Sequence, residues 1–137
     1  MLCGIFPHQI EHGEVDLLCA HGAAAGEQEM AVLARDAEFQ AVIPVRGKIL
    51  NCLKAEFDKI FKSEIIVNLL KILGCGVEVS SKGNKNLSTF NLDNLRWSKI
   101  IICTDADVDG YQIRTLILTM IYRLIPTLIK EGKVFIA

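Results

Sequence analysis

The stretch IIICTDADVDGYQIRTLI, residues 100–117, constrains the fold more than any other part of the chain. It opens with β-branched residues, which favour a strand. It then turns polar, with Asp105, Asp107 and Asp109 at every second position. Beyond Gly110 the residues Ile113, Leu116, Ile117, Met120, Ile121 and Leu124 recur at the spacing of an amphipathic helix. A strand that runs through a short polar turn into a helix is half of a βαβ unit.

The rest of the chain repeats that alternation. VDLLCA at 15–20 reads as a short buried strand, followed by His21-Gly22 and the helix-forming AAAGEQEMAVLA. A second strand is expected at 39–43, closed by Pro44, and PVRGKILN follows as a basic, loop-like segment. Residues 56–73 carry Phe57, Ile60, Phe61, Ile65, Ile66, Leu69, Leu70 and Leu73 at helical spacing, with a break and N-cap expected at Ser63 and a stop at Gly74. Residues 77–97 are polar, and SSKGNKN at 80–86 is expected to be a mobile loop. The long helix should kink or restart near Pro126 and end near Gly132, before a last strand at 134–136. The pattern predicts an α/β fold, a small parallel sheet of about four strands with helices on both faces. Residues 1–13 read as an irregular segment, and 14–137 as one domain. Sites in such sheets form at the carboxyl ends of strands, where Asp105 and His21 both fall.

With 51% hydrophobic residues, a chain of 137 residues has ample material for one core. Fifteen basic against 16 acidic residues leave a net charge of −1, so any contact with nucleic acid must come from a local patch. The five cysteines are odd in number and form no CxxC, which points to buried, reduced thiols in a cytoplasmic protein. The opening MLCGIFPHQIEHGE has no basic n-region, so no secretory signal is expected. Residues 113–129 are apolar enough to suggest a membrane span, but Arg114, Arg123 and Pro126 interrupt them. A buried helix, with no membrane partner, is the expectation.

The acids at 105, 107 and 109 need a compensating charge. Two carboxylates about 4 Å apart repel by about 4 kcal/mol at an effective dielectric of 20. A divalent cation with oxygen ligands would relieve this, helped by the positive end of the following helix. Mg2+ takes one or two protein carboxylates and completes its shell with water and phosphate, so the pattern points to chemistry on phosphate. A solvated acidic turn or a helix N-cap is the competing explanation. An EF-hand fits the first six positions, but position twelve is Leu116 instead of Glu and the incoming element is a strand.

TDADVDG followed by IRTLILT, with ARDAEFQA and PVRGKILN upstream and KVFIA at the end, resembles the Toprim domain of type IIA DNA topoisomerases. Its nearest likeness is to the B-type subunits of bacterial gyrase and topoisomerase IV, over residues 35–137. The resemblance implies a Toprim, Rossmann-like fold that supports Mg2+-dependent cleavage and rejoining of double-stranded DNA within an ATP-hydrolysing enzyme. It implies that Asp105, Asp107 and Asp109 hold the Mg2+, and that Arg46, Lys48 and Asn51 lie along the DNA. Lys48 would offer a point charge to phosphate and Asn51 an amide donor. Without the resemblance, Arg46 and Lys48 read as an ordinary solvated loop. The partner implied is the breakage–reunion (A-type) subunit that carries the nucleophilic tyrosine. Tyr111 and Tyr122 do not occupy that motif, Tyr122 reads as a packing residue, and nothing here resembles the family's ATP-binding module.

The sequence departs from the family at its first strand. The family has EGDSAGG, whose Glu completes the metal site and serves in acid–base chemistry; this chain has HGAAAGE. Aligning the glycines puts His21 at the Glu position, and a gapless count from ARD puts Ala23 there; neither supplies a carboxylate. Glu27 and Glu29 lie about a turn or two into the expected helix. Imidazole is a poor Mg2+ ligand. A second class of function follows: a catalytically degenerate Toprim domain that binds DNA or protein. A stand-alone Toprim nuclease is a third, and the missing acid argues against it too. Tyr111 and Gln112 also replace a small residue and a His usual after DADVDG.

Overall fold

The computed structural model describes residues 16–21, 36–45, 48–80 and 87–137, with backbone alone at Leu18, Ala20 and His21. The irregular segment at 1–13, the helix expected at 23–34 and nearly all of the loop at 80–86 lie outside these residues, as does Arg46.

Four strands form one sheet: β1 (Asp16–His21), β2 (Gln40–Pro44), β3 (Lys99–Thr104) and β4 (Val134–Ile136). All pairings are parallel, in the order β2-β1-β3-β4. Register places Ala41, Leu17, Ile100 and Val134 in one row across the sheet, and Ile43, Cys19, Ile102 and Ile136 in another. Side chains alternate faces along a strand, so both rows share one face. Leu17, Cys19, Ile100 and Ile102 are buried there, while Ile101 and Cys103 on the opposite face are half-buried.

The helices follow the apolar spacing. The stretch expected at 56–73 divides into α1 (Phe57–Ile60) and α2 (Glu64–Leu73), with Ser63 at the break. Gly74 closes α2 in the left-handed conformation, φ 80°, and donates its N–H to the Leu70 carbonyl. Ile66, Leu69, Leu70 and Leu73 are buried, whereas Ile65 faces outward. One residue of helix is about 100° of rotation, enough to carry Ile65 off the core stripe. α3 (Val108–Leu124) buries Ile113, Ile117, Met120, Ile121 and Leu124. It stops at Ile125, and α4 (Pro126–Lys130) restarts with Pro126 in its first turn, where a missing N–H costs nothing. Among the described residues no helix is long and apolar enough to cross a membrane.

The described parts of the polar region, 77–80 and 87–97, are tied together by backbone bonds. Val77 bridges Thr89, Phe90 N–H donates to the Val77 carbonyl, and Leu92–Asn94 form one 3-10 turn. Gly76 permits this: its φ is 78°, and a Cβ there would stand 2.4 Å from the Ser88 carbonyl oxygen. Trp97, buried just before β3, donates its indole N–H to the Ile72 carbonyl at 2.9 Å, tying α2 to the sheet.

Candidate functional site at the carboxyl ends of the central strands

The strand order turns around between β1 and β3. From β1 the chain adds β2 on one side, and from β3 it adds β4 on the other. This is the switch point of the strand order, and in open parallel sheets sites form beside it at the carboxyl ends of the strands. His21 ends β1 and pairs with Thr104, the last residue of β3. Asp105 is the next residue. The two strand ends singled out from sequence are therefore side by side.

The β3–α3 junction is tight. Asp107 is the N-cap of α3, in extended conformation (φ −128°, ψ 177°), and its Oδ1 accepts the Gly110 N–H at 2.6 Å. Such a cap contributes about 1 kcal/mol. Gly110 is buried against the strand end, and a Cβ there would lie 2.1 Å from the Asp105 carbonyl oxygen. Glycine is needed for space, not for backbone angle. Asp109 sits in the first turn of α3, near the positive end of the helix, with Lys48 Nζ 3.7 Å from its Oδ1. Both groups are largely exposed, so the pair adds little stability, but it locates Lys48.

Asp107 and Asp109 thus have separate compensations. Among the described residues no group of three or more His, Cys, Asp or Glu converges as a ligand set. The helix N-cap weighed from sequence is present at Asp107, and Lys48 beside Asp109 is a compensation that spacing alone did not reveal.

The segment beyond Lys48 is anchored by alternate residues. Ile49 and Cys52 are buried, and Lys48, Leu50 and Asn51 are exposed. Asn51 folds the chain back: its Oδ1 accepts the Leu53 N–H, and its carbonyl accepts from Lys54 and Ala55. The oxygen is used inside the turn, so the group left for a ligand is the amide NH2. Arg123, near the end of α3, donates through Nη1 to the carbonyls of Cys52 and Leu53, each at 2.6 Å. Its guanidinium also lies 4.6 Å from the centre of the Phe57 ring. Sequence reasoning used Arg123 only to argue against a membrane span. A charge set between Tyr122 and Leu124, in the mostly apolar second half of the helix, was the signal for a built contact.

Burial works against the described thiols as nucleophiles. Burial, with Cys103 nearby, pushes the Cys19 thiol up to about 12. Burial also raises Cys75, Cys103 and Cys52, though Arg123 draws Cys52 partly back. Tyr122, read from sequence as a packing residue, is 63% exposed because it falls on the side of α3 opposite Leu124. Tyr111 is exposed under the guanidinium of Arg114, 4.8 Å away.

Residues 24–137 match the Toprim domain. The chain belongs to the Toprim domain family. It is 44% identical over 124 residues to the DNA gyrase B subunit of Helicobacter pylori strain J99, covering 90% of this chain and 15% of that protein. It is 46% identical over 122 residues to the DNA gyrase B subunit of Chlamydia muridarum, covering 89% and 14%. The type 2 topoisomerase B subunit of Aquifex aeolicus shares 40% over 129 residues, covering 94% and 15%. The chain therefore spans only a small part of the length of the curated relatives it matches.

For this Toprim domain the donor chemistry suits a hard cation. Asp105 and Asp107 flank the strand end, and Asp107 keeps one carboxylate oxygen beyond its cap. Two carboxylates fit the usual protein share of a Mg2+ shell. The end of β1 adds His21, whose imidazole does not suit Mg2+. Ala23, Glu27 and Glu29 lie outside the described residues, as does the side chain of His21.

Proposed function

We propose that residues 14–137 form the metal-binding Toprim domain of a gyrase-type, type IIA DNA topoisomerase of the cytoplasm. Asp105 and Asp107 hold Mg2+, with Asp109 adding negative charge beside them. Lys48, Asn51 and Arg46 lie along the backbone of double-stranded DNA. The observation that carries this reading is the approach of Lys48 to Asp109, which sets the basic segment beside the acid-bearing junction. Sequence likeness to gyrase B subunits supports the same assignment.

Bound Mg2+ supplies charge stabilisation at the scissile phosphate and its leaving oxygen. The chain does the rest by placement. The Gly110 N–H fixes one oxygen of Asp107, so the carboxylate is oriented before any ligand arrives. Lys48 exchanges Asp109 for a phosphate oxygen, and Asn51 donates its NH2 to the backbone. The nucleophilic tyrosine comes from an A-type partner subunit.

A second reading, a catalytically degenerate domain that binds DNA or protein, is favoured by His21 or Ala23, according to the alignment, where the family carries Glu. One experiment separates the two. Mg2+, Mn2+ and Ca2+ are titrated calorimetrically into the parent chain, D105A and D107N. H21E and A23E are then combined with an A-type subunit and supercoiled DNA. Metal binding by the parent, lost in D105A and D107N, supports the metal site, and no heat at millimolar metal overturns it. Cleavage by the parent supports the topoisomerase reading, and cleavage only after a Glu is restored supports the degenerate module.

A further inference from the structure

We infer that Arg123 is a positioning residue that holds the 48–55 segment along α3, so that Lys48 and Asn51 reach DNA in fixed register with the acids at the start of the same helix. The inference rests on the DNA-binding reading above. Three contacts carry it: the two carbonyls of Cys52 and Leu53 and the face of Phe57. Among the described residues the partners of Arg123 are carbonyls and a ring, with no carboxylate, so its charge shapes backbone instead of closing an ordinary ion pair.

The geometry gives the segment two attachments to one rigid body. Lys48 meets Asp109 in the first turn of α3, and Cys52 and Leu53 meet Arg123 in its last turn. Between Pro44 and Phe57 the described chain has no strand or helix of its own, so its carbonyls lack ladder partners. Bonds from a charged donor to two successive carbonyls are stronger than neutral ones and fix the peptide planes beside Asn51. Lysine keeps the charge but cannot present a planar group that donates and stacks at once.

The test is a double-mutant cycle on this chain. Affinity for a short duplex is measured for the parent, R123K, K48A/N51A and the triple variant, with metal titration and melting recorded for each. R123K is expected to weaken duplex binding about fivefold in the parent and less than about twofold in K48A/N51A, with metal affinity unchanged; coupling of that size is usual within one network. Equal losses in both backgrounds, or none in either, overturn the inference. If K48A/N51A itself leaves duplex binding unchanged, the DNA-binding reading fails. Amide exchange then judges the clamp alone: faster exchange confined to Leu53, Lys54 and Ala55 in R123K supports it, and unchanged exchange overturns it. Should R123K not fold, F57L removes the ring beneath the guanidinium, F61L serves as the control for the Phe57–Phe61 stack lost with it, and F57L is read in the same cycle with the same expectations.

Discussion

Replacing Gly110 by Ala sets two effects against each other. Gly110 lies inside α3, where Ala is normally the better residue by about 1 kcal/mol. The added Cβ, however, would stand 2.1 Å from the Asp105 carbonyl oxygen and 2.9 Å from its carbon. Overpacking costs about 1–3 kcal/mol, and the upper end applies because the obstructing atoms are backbone and cannot rotate away. Moving the helix start to make room also weakens the bond from Gly110 N–H to Asp107, a cap contributing about 1 kcal/mol. The balance is a loss of about 3 kcal/mol, or about 10 °C in melting temperature for a chain of this size. Thermal unfolding followed by circular dichroism reads it. Gly132→Ala is the control: its φ is 64° but nothing lies within 4 Å, so only the left-handed backbone is strained, at about 1–2 kcal/mol. If G110A melts at or above the parent, helix propensity has won and the close contact between strand end and helix is wrong.

Asp107 should separate into two functions. Asp107→Asn keeps an oxygen for the Gly110 N–H and should melt within about 2 °C of the parent while losing divalent affinity; Asp107→Ala should lose both that affinity and about 1 kcal/mol of stability. Calorimetry and thermal melts on the same samples check this, and equal metal binding by parent and Asn variant would refute it. Cys19 predicts an alkaline trend. Its thiol stands at about 12 when folded against an ordinary 9.0, so the folded chain keeps a proton that the unfolded chain releases. The stability tied to that proton is complete below pH 9 and is lost as pH rises toward 12. Urea unfolding across that range should show the decline, and Cys19→Ala should make it shallower, with the raised Cys52, Cys75 and Cys103 thiols contributing the remainder.

What the sequence disclosed was local. The Ser63 break, the Gly74 stop and the restart at Pro126 each depend on a residue's own backbone preferences and neighbours a turn away, and the structure has all three. The strand-to-helix passage at 99–124 was legible because residue type and spacing change sharply at Asp105. The contacts that shape the site join distant residues, and no spacing rule reveals them. Arg123 meets Cys52, Lys48 meets Asp109, and Trp97 meets Ile72. Asp107 was visible as an acid, but its capping bond depends on how closely α3 approaches β3. Composition also says nothing of the contacts at 87–97, where Asn91 accepts the Asp93 N–H and backbone bonds to Cys75 and Val77 order a polar stretch.

The pairing of β1 with β3 has a consequence for biogenesis. These neighbours in the sheet lie far apart along the chain, so its middle cannot close until the ribosome has released the run through Thr104. Loop closure of that span is slow and entropically costly. Until then Leu17 and Cys19 lack their partners Ile100 and Ile102, and an oily strand waits uncovered. Nascent chains halted before Lys99 should therefore bind holdase chaperones and resist dilution poorly, and those extended past Thr104 should not.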